Sequence, residues 1–243
     1  MSRGDSVGAW KLGVVAETRT LTKSARSIML DVPGWGGNIA GQHADVRLTA
    51  ADGYQAVRSY SVASVGTGDR IELAVDRLPD GEVSPYLVDE VMVGDELEVR
   101  GPLGGWFVWR PDQREPVQLV AGGSGIVPLM AMIRSHHATG STAPFRLLYS
   151  LRTPEDAFFR EALLAPPAGV DVTWHYTREV PAGWEHAPRR LTATDLATST
   201  FPPTDEPAMY VCGPTGFVET VARALVDLGH DPQRVKTERF GGT

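Results

Sequence analysis

The chain changes its local pattern once, near Pro111, and that change restricts the possible folds more than any other feature. Residues 10–100 read as short β-rich segments separated by turn signals. KLGVVAETRTLT, ARSIMLDV, ADVRLTA, AVRSYSVAS, RIELAVDRL and DELEVRG are the six strand candidates, with VPGWGGNIAG, ADG, GTGD and LPDG between them. Six short strands at this spacing predict an antiparallel barrel. SPYLVDEVMVG is the one helix candidate here, with Ser84 as its cap and Pro85 at its first position.

Beyond Pro111, strands and helices alternate. PVQLVAGG, FRLLYSLR, VDVTWHYTR, AMYVCGP and RVKTERF read as strands. PLMAMIRSHH, PEDAFFREALLA, a weak helix around residues 193–197, and GFVETVARALVDLG read as helices. Such alternation predicts a doubly wound, five-stranded parallel sheet with helices on both faces, whose ligands sit at the carboxyl ends of the strands. The expected organisation is therefore an all-β domain over residues 1–111 and an α/β domain over residues 112–243, with excursions at residues 181–188 and 201–207.

Bulk properties remove several function classes. The formal net charge of −7 argues against nucleic acid as a partner. The single cysteine, Cys212, excludes an intramolecular disulfide and a four-cysteine iron–sulfur cluster built from this chain alone. The longest apolar stretch, residues 126–133, contains Pro128 and falls well short of the ~20 residues of a membrane span. MSRGDSVGAWKLG lacks the apolar run of a signal peptide, so a cytoplasmic protein without membrane insertion is expected. His136 and His137 are adjacent and diverge on a helix, the other four histidines are scattered, and no metal site is predicted.

Two glycine-rich loops follow predicted strands. In AGGSGIVPLMAMI, Gly122, Gly123 and Gly125 let the main chain approach a ligand, and the helix behind them favours an anion such as a pyrophosphate. The spacing is neither GxGxxG nor a P-loop. A glycine-rich turn with packing duties is the alternative. The second loop, VCGPTGFVE, again lies between a strand and a helix, and two such loops favour an extended ligand. Cys212 is open to two readings, a residue of this site or a buried cysteine acting as a small hydrophobe. A GxSxG elbow is absent, so a hydrolase is disfavoured.

Taken together and in order, RSYS, GEVS, GPLG, GGSGIVP, CGP and a terminal ERF resemble the ferredoxin–NADP(+) reductase superfamily over most of the chain. The resemblance implies a flavin-binding barrel followed by a pyridine-nucleotide domain, in a reductase without a fused ferredoxin domain. It implies that RSYS, contributing Arg58, Ser59, Tyr60 and Ser61, holds FAD. Tyr60 would lie against the isoalloxazine, Arg58 would pair with the pyrophosphate and Ser61 would bond near flavin N5. Arg58 and Tyr60 share one side of a strand, so Ser61 reaches the flavin only through a twist, a bulge or its backbone. Gly81, Glu82, Val83 and Ser84 correspond to the second flavin motif, and Val75 and Arg77 to the adenosine side. Phe240 would cover the flavin face, with the GGT tail letting it move aside, and Glu238 would relay a proton. Gly122, Gly123, Ser124, Gly125, Pro128, Cys212, Gly213 and Pro214 would hold NADPH or NADH, with Cys212 beside nicotinamide C4. The implied catalytic residues are Ser61, Cys212 and Glu238.

Arg152 and Arg178 follow successive strands where a 2′-phosphate is expected, which favours NADPH; the loop after Arg178 shows no obvious aromatic one turn on. Electrons would pass to a separate acceptor such as a ferredoxin or an oxygenase component. An electron-relay or regulatory subunit and an NAD(P)H:free-flavin reductase are the alternatives. Lys11, Arg19, Lys23 and Arg26 against Glu17 offer either an acceptor docking patch or the solvated face of two strands.

Overall fold

The computed structural model describes residues 8–241, so the first seven residues of MSRGDSVGAWKLG, and Gly242 and Thr243 of the GGT tail, lie outside the described residues. The chain divides into two compact units, Met1–Val108 and Trp109–Thr243.

The first unit contains β1 (Trp10–Thr20), β2 (Ala25–Asp31), β3 (His43–Thr49), β4 (Gln55–Ser61), β5 (Arg70–Asp76) and β6 (Glu96–Leu103), in the order β4-β3-β6-β1-β2-β5. All five pairings are antiparallel. The two outer strands meet: Val62 bridges Leu73, and Ala63 N donates to Glu72 O at 2.7 Å. That seam closes the sheet into the expected barrel. Inward residues such as Ile28, Leu30, Val46, Ile71, Leu73 and Val99 form its core. On the outer face of β1, β6 and β3, the Arg47 and Arg100 guanidinium carbons lie 4.3 and 4.9 Å from the Trp10 ring. Arg47 pairs with Glu98 and Arg100 with Asp45, each at 2.5 Å.

The expected helix after β5 is a single wide turn, Tyr86–Glu90. Ser84 does not cap it: the Ser84 hydroxyl accepts from Leu78 N at 3.0 Å and closes the preceding loop instead. Arg26 ties off the far end, donating to Val88 O at 3.2 Å and Val91 O at 2.6 Å. Arg19 bonds Glu17 at 2.5 Å. Two of the four cations considered for docking are thus already engaged within the barrel.

The second unit contains β7 (Val117–Gly122), β8 (Phe145–Leu151), β9 (Val170–Tyr176), β10 (Ala208–Pro214) and β11 (Val235–Phe240), all parallel, in the order β11-β10-β7-β8-β9. This is the doubly wound arrangement, with the connection reversing between β7 and β10. Central β7 is buried throughout, as a strand covered on both faces must be. Helices α1 (Ile126–Ala138), α2 (Arg160–Leu164), α3 (Ala193–Ser199) and α4 (Thr215–Asp227) connect the strands. The expected helix over PEDAFFREALLA is broken. A short turn, Pro154–Asp156, precedes α2, and Phe159 between them is left-handed at φ 55°. Burial prevails over helical continuity here: Phe158 is buried, and its N–H donates to Tyr149 Oη at 3.2 Å.

Candidate flavin and nucleotide sites

β4 pairs with β3 in unbroken register from Thr49–Gln55 to His43–Ser61, so alternation holds along RSYS. Arg58 lies opposite Val46 and Tyr60 opposite Ala44 on one face, whereas Ser59 and Ser61 take the other. Tyr60 packs partly against the barrel core, and burial pushes its phenol above the usual range. The Ser59 hydroxyl donates to Asp45 Oδ1 at 2.6 Å and so braces the strand. Ser61 is buried where the chain bends: Val62 N still donates to Gln42 O, at 3.0 Å, but Ala63 has moved across to β5. The irregularity expected at this strand end is therefore a change of partner after Ser61 rather than a bulge. Opposite Ser61 lies His43, a residue the motifs did not single out; burial lowers its pKa, and a Cβ at Gly104 would lie 3.1 Å from its Nδ1.

In the second flavin motif, a Cβ at Gly81 would come within 2.8 Å of Ser84 Oγ, so this tight loop needs glycine. The amides of Val83 and Ser84 donate to no acceptor among the described residues. With so short a helix behind them they act as individual N–H groups rather than as the end of a long dipole. Arg58 and Glu82 form an ion pair, and Tyr54 Oη donates to the other Glu82 oxygen at 2.6 Å. Tyr54, in the turn before β4, was not legible as a member of this group. Arg77 pairs with Asp89 at 2.7 Å. The Val75 side chain is only 1% exposed and belongs to the barrel core, so it presents no surface to a ligand.

In the nucleotide unit the two glycine loops lie at the point where the strand order reverses. A Cβ at Gly125 would lie 2.2 Å from Cys212 O, and one at Gly122 would lie 2.7 Å from the Phe217 ring. A Cβ at Gly213 would lie 3.0 Å from Gly122 O. These three glycines pack one loop on the other. Gly123 differs: it is left-handed at φ +54°, and nothing lies within 4 Å of where its Cβ would be. Ser124 beside it is half-buried, Pro128 is buried in the first turn of α1, and Pro214 is exposed.

Cys212 and Glu238 are register partners on β10 and β11, as are Pro214 and Phe240. Cys212 is fully buried; burial first, and then the Glu238 charge, push its thiol well above the usual range. The protonated thiol is therefore its resting form. Native protein at pH 8.5 is expected to react with a disulfide reagent only as fast as it opens, and one thiol is expected to appear at once in guanidinium. Prompt labelling of the folded protein would refute this placement.

At the far end of the sheet, Arg178 N donates to Arg152 O at 2.9 Å, which brings the two predicted arginines to adjacent strand ends. Both side chains are exposed, and neither has an ion-pair partner among the described residues. Arg189 is committed elsewhere: it forms a two-pronged pair with Asp195, which also closes the capping box of α3 with Thr192. That pair, led by the hydrogen bond from Arg189, holds the Asp195 carboxyl far below its ordinary range. Trp184, six residues after Arg178 in the same loop, meets Tyr176 edge-on at 5.1 Å and stays 39% exposed.

The residues present fit both nucleotides. Arg58 and Tyr60 share one strand face with unengaged amides in the same unit, which suits a flavin ring joined to a pyrophosphate. The open left-handed Gly123 at a topological switch point suits a second pyrophosphate. Among the described residues, no three His, Cys, Asp or Glu side chains are placed to hold a metal ion, and no helix is long and apolar enough to cross a membrane.

Residues 13–108 match the oxidoreductase FAD-binding domain family, and residues 119–223 match the oxidoreductase NAD-binding domain family. The chain is 30% identical over 198 residues to the glycine betaine monooxygenase reductase subunit of Chromohalobacter salexigens, a match covering 79% of this chain and 53% of that protein. It is 30% identical over 197 residues to NADH-cytochrome b5 reductase 1 of Lodderomyces elongisporus, covering 79% and 64%. It thus spans about half to two-thirds of the length of these curated relatives. The flavohem-like FAD/NAD-binding domain of nitric oxide dioxygenase from Vibrio cholerae superposes with a TM-score of 0.85 at 26% identity, covering 96% of this chain and 99% of that one. With a closed six-stranded barrel followed by a doubly wound sheet, an FAD-binding domain followed by an NAD-binding domain, the chain belongs to the ferredoxin–NADP(+) reductase superfamily.

Proposed function

We propose that this chain is an NAD(P)H-dependent FAD reductase that favours NADPH and delivers electrons to a separate acceptor, an oxygenase component or a ferredoxin, in the cytoplasm. The observation that carries the nucleotide preference is the pairing of Arg152 and Arg178 through their main chains, with both guanidinium groups left exposed. Two cations at adjacent strand ends suit a phosphate monoester, which a guanidinium binds through charge-assisted hydrogen bonds. The name of the Chromohalobacter relative, a monooxygenase reductase subunit, supports a separate oxygenase as acceptor.

Bound FAD would supply the chemistry, accepting a hydride from the nicotinamide and releasing the electrons onward. The chain's own part is placement. Arg58 and the amides of Val83 and Ser84 hold the flavin phosphates, and Tyr60 supports the ring. Gly123 admits the nucleotide pyrophosphate close to the main chain. Cys212, protonated and fully buried, presents no surface of its own and acts on the nucleotide loop through the close approach of Gly125 to its carbonyl. Glu238, the register partner of Cys212, is the carboxylate in position to relay a proton.

The test is an anaerobic titration of the FAD-loaded protein with each nucleotide, followed by bleaching of the flavin bands. NADPH is expected to bleach them at lower concentration than NADH. Arg152→Ala with Arg178→Ala is expected to lower kcat/KM for NADPH by about a hundredfold, the loss of two charge-assisted contacts, while leaving NADH nearly unchanged. Wild-type protein reduced more readily by NADH would overturn the NADPH preference, and failure of either nucleotide to bleach the flavin would overturn the reductase.

A further inference from the structure

The loop that offers amides to the flavin phosphates also carries an acid, and that acid already occupies the arginine meant for them. Glu82 Oε2 accepts from Arg58 Nη2, while Glu82 Oε1 accepts from Tyr54 Oη at 2.6 Å. Arg58 Nη1 is turned back to its own strand, donating to Val57 O at 2.8 Å. Both oxygens of Glu82 and two nitrogens of Arg58 are therefore engaged before any ligand arrives. The side chains of Arg58 and Glu82 remain 50% and 45% exposed. An ion pair this exposed is weak enough to exchange for another anion. The hydrogen bonds from Tyr54 and then Arg58 hold the Glu82 carboxyl below its ordinary range, so it carries its charge at neutral pH. A diphosphate reaching Arg58 would therefore meet a fixed negative charge belonging to its own binding loop.

We propose that Glu82 is a built-in competitor for Arg58 that limits the affinity of this site for the diphosphate of FAD, with Tyr54 as the positioning residue that holds Glu82 on the guanidinium. The inference rests on the assignment of the site to FAD. Its consequence is an exchangeable flavin: the diphosphate must displace or crowd the carboxylate, whereas the flavin ring alone meets no such opposition. FAD and riboflavin share the ring and differ in the phosphates, so together they separate the two contributions.

The experiment is an equilibrium titration of flavin-free protein with FAD and with riboflavin, read as the change in flavin fluorescence. Glu82→Gln keeps the shape of the side chain and removes the charge. It is expected to tighten FAD binding about three- to tenfold, the effect of removing one like charge a few ångströms away in water-rich surroundings, and to leave riboflavin binding unchanged. Tyr54→Phe keeps the carboxylate but releases its second tether, and is expected to tighten FAD by a smaller factor. If Glu82→Gln leaves FAD binding unchanged or weakens it, Glu82 is a holder of Arg58 or a bystander and the proposal fails. An equal gain for riboflavin also overturns it, because the effect would then not be directed at the phosphates. FAD binding by the wild-type protein without a gain in Glu82→Gln defeats this inference alone; absence of FAD binding in both proteins defeats the site assignment as well.

Discussion

Gly125→Ala is expected to destabilise the nucleotide-binding unit by about 3 kcal/mol or more, at the upper end of the cost of overpacking a core. The added Cβ would lie 2.2 Å from Cys212 O and 2.4 Å from Cys212 C, which are main-chain atoms of a buried central strand. A crowded side chain can rotate away, but β10 is held by β7 on one side and β11 on the other and cannot yield without breaking its ladders. Gly123→Ala is the control. Its Cβ would meet nothing within 4 Å, so the cost is only that of a left-handed alanine, about 1–2 kcal/mol. Guanidinium denaturation followed by circular dichroism separates the two, and equal midpoints for the variants would show that the loops do not touch as described.

Arg58→Ala is expected to weaken FAD binding by about a hundredfold, the scale of losing a charge-assisted contact to a phosphate and leaving a carboxylate without its partner. Arg58 sits two residues before Tyr60 on a strand whose register is unbroken, so the substitution leaves the support of the ring in place. The barrel should fold normally, because Arg58 is exposed and its ion pair with Glu82 contributes little. Flavin content after dialysis, together with a thermal melt, reads binding and folding independently. A variant that retains FAD as tightly as the wild type would remove Arg58 from the flavin site.

The strands were legible because each carries its own period and its own turn signals: all six barrel segments and all five parallel segments appear where the sequence placed them. What escaped were decisions made by distant neighbours. Nothing local in PEDAFFREALLA announces that Phe158 will be anchored to Tyr149, yet that anchor breaks the helix. Ser84 has the composition of a cap, but Leu78 reaches its hydroxyl first. Nothing local in the loop after Arg178 announces that Arg189 is claimed by Asp195. The flavin motifs located Arg58 and Glu82 separately; that the two neutralise one another depends on a barrel bringing together residues 24 apart in sequence. Gly122, Gly125 and Gly213 were read for what they allow a ligand to do, and the structure adds what they allow each other to do.

The contact between Gly125 and Cys212 also bears on how such a site changes over generations. The part of the nucleotide site that packs main chain on main chain leaves almost no room for substitution, whereas Arg152 and Arg178 project from strand ends into solvent and support nothing else. Drift is therefore confined to one end. On the reading proposed above, exchanging one dinucleotide for the other needs changes only at those two arginines, whereas the glycine joint refuses a Cβ at Gly125 whichever coenzyme is bound.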